Sequence, residues 1–354
     1  MTAKRGGDFS PIGSILSGML EQGRGDLARI PPPAQPQAAP KAKGKLLTRA
    51  DKKLLDTAEA LHFEPTSEEI AYLARELVQC TLPHSDPGNV DHWSRANGDL
   101  TLTIARTVFD ARAQKLLGYP YGSLPRLILF WMTTEAVKTK NRRLNLGSTY
   151  ADFLRALDLD AVSGGARGDR VRVREQMRRL FGASISFSQT MTGAGGQEGE
   201  RFLNMNVARR AELWWEPKKP DQISLFDSWV ELGEDFFEAI TASPVPVDVR
   251  ALRALKRSPL ALDLYAWATH KAFSVSQRGR AQRILWRQLL EQFGADYKDT
   301  ANFKKKASAA LKKIQAVYPG LKLESVTGGL LVLPTSRPIV ASKPPAKKLP
   351  KPTE

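Results

Sequence analysis

Apolar positions along this chain form one pattern that is stated twice. The run Phe130, Trp131, Met132, Thr133, Thr134 closes one long apolar-faced helix, and Ala266, Trp267, Ala268, Thr269, His270 closes another. Trp131 and Trp267 lie 136 positions apart, and Phe153, Leu154 and Leu157 keep the same offset from Leu289, Leu290 and Phe293. Each copy then runs into a cationic amphipathic helix followed by alternating apolar and polar segments. Helix, short strand, helix, basic helix, hairpin is the order of a winged helix. The pattern predicts an α+β chain, mainly α, built from two tandem winged-helix domains.

Local signals place the elements. In the first copy Leu124, Leu127, Ile128, Trp131 and Met132 line one helical face that Ser123 caps. Glu135 falls on that face, where an ion pair with an arginine is expected rather than a catalytic role. Leu144 and Leu146 alternate against Asn145 as a short strand, and Ser148 or Thr149 caps the helix ending at Leu157. A loop with Gly164, Gly165 and Gly168 leads to a helix capped by Asp169. Ile185 and Phe187, then Leu203, Met205 and Val207, alternate around the glycine-rich segment 193–200 as a hairpin wing. The second copy predicts a helix over 248–273 interrupted near Pro259, a strand over 284–286, and helices over 287–293 and 300–317. A closing hairpin turns at Thr327, Gly328 and Gly329. Ahead of both copies, residues 48–79 predict two helices broken at Pro65, and 100–104 a strand after the Asn97-Gly98-Asp99 turn.

Composition adds a partner and a compartment. With 53 basic against 37 acidic side chains, the formal net charge is +16, which calls for a polyanion. No apolar run is long enough to span a bilayer, and the first residues lack a signal peptide's apolar core. A single cysteine, Cys80, excludes an intramolecular disulfide and suits a buried apolar position in a reduced, cytoplasmic compartment. Residues 1–45 predict a disordered arm and 46–80 a helical lead-in. The first winged-helix domain then spans 81–232, the second 233–334, and 335–354 form a basic, disordered tail.

The charged faces identify a DNA surface. On a wheel of residues 170–181, Val173, Met177, Leu180 and Phe181 face the core, and Arg172, Glu175, Arg178 and Arg179 lie opposite. Arginine presents a planar fork that pairs two acceptors on guanine, so Arg172 and Glu175 are expected at base edges, with Arg170 reaching out from the first turn. Arg167 and the glycine amides are placed for a phosphate. In the second basic helix Phe303, Ala307, Leu311, Ile314 and Val317 are apolar. Lys305, Ser308 and Lys312 lie opposite them, flanked by Lys304 and Lys306, and lysines suit phosphate attachment more than base reading. Arg278, Arg280, Arg283 and the pair Lys256-Arg257 are further phosphate candidates or plain surface charge.

Other chemistry is thinly represented. There is no phosphate-binding loop of the nucleotide-hydrolysing type, and no His-x-His pair of the strand-nicking type. His84, Asp86, Asp91 and His92 sit close in sequence, but in a turn rich in local hydrogen bonding. No catalytic residue, metal or cofactor is expected. The Trp214-Trp215 pair reads as a core or interface anchor. A winged-helix transcriptional repressor is the nearest rival reading, a DNA-nicking enzyme the rival from another class, and RNA binding the weakest.

Several stretches resemble the RepA family of plasmid replication initiators: residues 81–87 (TLPHSDP), 121–126 (YGSLPR), 131–137 (WMTTEAV), 175–181 (EQMRRLF), 214–220 (WWEPKKP) and 251–262 (ALRALKRSPLAL). The likeness covers about residues 78–295 and is silent on both tails. It implies a sequence-specific, plasmid-associated bacterial protein that binds double-stranded origin repeats (iterons). It also implies melting of adjacent A·T-rich DNA and recruitment of host replication proteins such as DnaA and the replicative helicase. Copy control through a self-repressing homodimer is part of the same expectation, and Arg178 and Arg179 fall on the matching positions of the first recognition helix.

Overall fold

The computed structural model describes residues 61, 64–110, 114–159, 168–193, 195–215, 219–223, 227–294, 297 and 299–340. The expected arm at 1–45, Arg167 with its glycines Gly164 and Gly165, and most of the expected tail lie outside the described residues.

The chain mixes helices with antiparallel sheets. Its first described elements are β1 (Ile70–Ala74) and α1 (Arg75–Gln79), followed by the hairpin β2 (His92–Asn97) and β3 (Leu100–Arg106). A two-residue pair, β4 (Phe109–Asp110) with β5 (Lys115–Leu116), precedes α2 (Ser123–Thr139). Then come β6 (Arg143–Asn145), α3 (Tyr150–Ala156), α4 (Asp169–Phe181) and the long hairpin β7 (Ala183–Thr192) and β8 (Glu198–Asn206). Strands β9 (Ala208–Glu212) and β10 (Trp229–Leu232) and helix α5 (Glu234–Ala242) complete the first half. The second half runs β11 (Pro244–Asp248), α6 (Val249–Leu255), α7 (Pro259–Arg278), β12 (Gln282–Leu285) and α8 (Trp286–Phe293). It ends with α9 (Thr300–Val317), β13 (Leu323–Val326) and β14 (Gly329–Val332).

The internal repeat survives in three dimensions. Helices α2 and α7 begin at Ser123 and Pro259, and α3 and α8 at Tyr150 and Trp286, each pair 136 residues apart. In both halves the repeated tryptophan packs edge-on against an aromatic ring of the following helix. Trp131 meets Phe153 at 5.1 Å, and Trp267 meets Phe293 at 6.4 Å between centroids. Such T-shaped pairs satisfy the ring quadrupoles while burying large apolar area. The hairpin register Ile185↔Met205 and Phe187↔Leu203 puts the alternating apolar residues on one face. Ile185, Phe187 and Met205 are buried there.

Several local expectations need correction. Segment 66–79 is not one continuous helix: a 3-10 turn over Ser67–Glu69 leads into β1, and only Arg75–Gln79, α1, is α-helical. Thr66 and Glu69 still form a helix-start signal, the Thr66 amide donating to the Glu69 carboxylate at 2.9 Å. Strand β1 then pairs antiparallel with β11, Ile70 opposite Asp248 and Ala74 opposite Pro244. A partner some 170 residues away leaves no local period to read. The two three-stranded sheets of the repeat share one order, β6-β10-β9 and β12-β14-β13, whereas the β7–β8 hairpin expected as the first wing lies in a separate four-stranded sheet beside β3. Gly122 and Gly168, not Ser123 and Asp169, occupy the N-cap positions of α2 and α4. Glu135 is partly exposed and enters no ion pair among the described residues.

The buried acid is instead Asp263, on α7. Arg126 of α2 holds it with two short bonds, Nε to Oδ1 at 2.7 Å and Nη2 to Oδ2 at 2.8 Å. The same guanidinium donates to the carbonyls of Leu82, Pro83 and Gly122. His84 Nε2 closes the cluster, 2.8 Å from Asp263 Oδ2. A second bridge is polar too: Arg95 of β2 donates to the Gln292 carbonyl of α8, and the Gln292 amide donates to the Val78 and Gln79 carbonyls. The repeat halves are therefore tied by a shared sheet and by buried, hydrogen-bonded charge.

Candidate nucleic-acid interface

Helix α4 owes its position to an apolar stripe that turns out to include one amide. Val173, Gln176, Met177 and Leu180 are all buried, at the i, i+3, i+4, i+7 spacing of a core-facing helix. Gln176 is tolerated because its side-chain oxygen accepts from the Tyr121 amide at 2.9 Å. Burying Gln176 rotates the outward arc away from Arg179 and toward Val171, Arg174, Glu175 and Arg178.

The arginines of α4 therefore fall into two groups. Arg172 and Arg174 are exposed and Arg170 is partly exposed. Arg178 is partly exposed and bonds Asp110 at 2.5 Å, beside Glu175 at 3.8 Å. Arg179 is only 17% exposed. Its Nε donates to Glu175 at 3.0 Å, and its Nη1 donates to Asp86 and to the Tyr119 carbonyl, both at 3.2 Å. It also lies 5.3 Å from the Tyr121 ring centroid. A Cβ at Gly118 would come within 2.7 Å of that guanidinium, so the glycine makes room for it. The expected free guanidinium at Arg179 is thus replaced by a structural tie, and Arg178 is partly engaged. Val171 and Arg174 were overlooked from sequence. The signal that finds them is a polar residue recurring inside the apolar stripe.

Helix α9 follows its sequence pattern closely. Phe303, Ala307, Leu311, Ile314 and Val317 are buried, and Asp299 caps the helix by accepting from the Asn302 amide at 2.7 Å. Lys304, Lys305, Lys306 and Lys312 are exposed and Ser308 is partly so. Lys304 sits 5.9 Å from the Trp286 ring centroid, leaving Lys305 and Lys312 at the centre of the outward arc, flanked by the exposed Ala301 and Ala309. The β7–β8 hairpin is mixed in charge, with Glu198, Glu200 and Arg201 exposed, so the cationic field comes from the helices.

The other chemistry considered from sequence does not assemble here. His84 is committed to Asp263 and Asp86 to Arg179. Among the described residues no group of three or more His, Cys, Asp and Glu side chains is placed to hold a metal ion. Cys80 is fully buried, and burial pushes its thiol up to about 12. Trp215 is buried, stacking on Tyr150 at 5.0 Å, whereas Trp214 is half exposed. Among the described residues no helix is long and apolar enough to cross a membrane.

Residues 119–288 match the family model described as plasmid encoded RepA protein. No curated protein matches the chain. Two crystal structures of domains 2 and 3 of RctB superpose on it at 13% identity with a TM-score of 0.41. They cover 71% of this chain and 93% and 92% of theirs. That score is too low to define a common fold.

Proposed function

We propose that the chain is a plasmid replication initiator that binds repeated double-stranded sites at an origin, a reading supported by the match of residues 119–288 to the family model described as plasmid encoded RepA protein. The observation that carries this reading is the repeat of helix, strand, helix, basic helix and hairpin, with an outward cationic arc on the basic helix each time. In this reading the halves, divided near residue 233, act as two winged helices. Helix α4 enters a major groove with Arg174 and Arg178 toward base edges and Arg170 nearby. Helix α9 holds phosphates through Lys305 and Lys312. The proposal extends to opening of adjacent DNA, recruitment of host proteins such as DnaA and the helicase, and action in the bacterial cytoplasm. No catalytic step is assigned to the chain.

Footprinting the plasmid's own origin tests the proposal. The expected result is protection at direct repeats, each spanning about two helical turns per monomer, roughly 20 base pairs. Protection of one short palindrome would favour the repressor reading. Magnesium-dependent nicking of supercoiled origin DNA, abolished by changing Asp91 or His92, would overturn the non-enzymatic assignment.

A further inference from the structure

The first turn of α4 borders a cavity of about 430 Å³ whose opposite wall comes from the other half of the chain. Arg172 and Asp169 line it from α4, Ser123 from the start of α2, and Lys256 and Arg257 from the turn between α6 and α7. We propose that this cavity holds one backbone phosphate of the bound duplex, clamped between Arg172 of the first half and Arg257 of the second. The proposal rests on the DNA-binding reading above and reassigns Arg172 from base reading to phosphate attachment.

The charges in the cavity are unequal in availability. Lys256 is held by Asp158, whose carboxylate lies 2.5 Å away, and has little left to offer. Arg172 makes a loose pair with Asp169 at 3.7 Å and is 60% exposed. Arg257 is exposed and makes no ion pair with a described residue. An exposed Arg257 and a loosely paired Arg172 therefore face one cavity, and among its described lining residues Asp169 is the single carboxylate. Helices α2 and α4 both start here without a side-chain cap, so their first amides and the positive ends of their dipoles add to the same sign. Position argues for a DNA phosphate as the occupant. On the wheel Arg172 projects a quarter turn from Val171, while Arg174 and Arg178 lie on its other side. A helix that turns Arg174 toward base edges thus turns Arg172 toward the strand bounding the groove. Arg257 is the one described cation from the second half at this end of α4 that is not already paired with protein.

Competition and direct binding with duplex from the plasmid's own origin, over a salt series, tests the clamp in Arg172→Ala, Arg257→Ala and the double variant. Loss of one phosphate contact lowers the slope of log affinity against log salt by about 0.9. Each single variant is expected to show that change, with a loss of about three- to tenfold on origin and unrelated duplexes alike. The double variant should lose little more, because both side chains serve one phosphate. Arg257→Lys, which keeps the charge, should retain most of the slope, and equal thermal midpoints exclude misfolding. Unchanged binding by Arg257→Ala, or additive slopes, would overturn the clamp, as would loss of sequence preference in Arg172→Ala. Saturation of the cavity by inorganic phosphate with no effect on DNA binding would identify a small-anion site and overturn it too. Failure of the unaltered protein to bind any duplex would instead remove the parent reading.

Discussion

Replacing Asp263 by Asn probes the tie between the repeat halves. The substitution keeps the volume but removes the charge that two guanidinium nitrogens of Arg126 reach at 2.7 and 2.8 Å. Both partners are about 5% exposed, so the arginine would keep its charge in a dry site with only carbonyls around it. The His84 bond confirms how strongly the carboxylate form is held. Asp263 stays ionised well below the usual carboxylate range because the Arg126 charge and the hydrogen bonds from His84 and Arg126 outweigh its burial. Removing one member of such a pair costs about 3–5 kcal/mol. Spread over residues 47–354, an unfolding entropy of about 2.1 cal/mol/K per residue converts that into a midpoint lowered by about 5–8 °C. Scanning calorimetry at neutral pH measures it directly. The double replacement Arg126→Met with Asp263→Leu should recover most of the loss, since it leaves no uncompensated charge. A midpoint within 1 °C of the parent for Asp263→Asn, or a double variant worse than either single, would refute the reasoning.

Four further expectations follow from the same geometry. Arg179→Met should lower stability by about 1.5–3 kcal/mol in urea titration, through loss of charged hydrogen bonds, yet leave DNA affinity intact. Arg174→Ala should do the reverse and relax base preference in a binding-site selection. Changing Lys305 and Lys312 together to Ala should reduce the salt slope by about 1.8 without altering which sequence is preferred, as measured by fluorescence anisotropy. His270, lowered to about 4 by burial and by the nearby Lys271, Arg75 and Arg278 charges, stays neutral in the folded chain. Its contribution to stability is complete above the ordinary histidine value near 6.5 and is lost as pH falls toward 4. His84 is also lowered, by burial first, so it adds to the same acid-side loss. The ring resonances of His270 should titrate near the lower value, and His270→Gln should flatten the midpoint's decline over that window.

Residue order alone determined the elements whose information is local. The five-residue apolar stripe of α9, the Thr149 cap of α3 and the hairpin around residue 193 are written in neighbours three, four or two positions apart, because helix and strand periods act over that range. The 136-residue repeat was equally visible, since both copies must seat a tryptophan against the next helix. Tertiary structure decided what depends on distant partners. Strand β1 exists because β11 offers its edge, and the β7–β8 hairpin that follows α4 pairs with β3 while β10 takes the place beside β6. Arg126, Arg179 and Arg172 have the same guanidinium but three different fates. One is buried on Asp263, one tied to Asp86 and Glu175, and one left open to solvent. What separates them is whether folding brings a carboxylate within bonding distance, and a desolvated charge can rest only where it does.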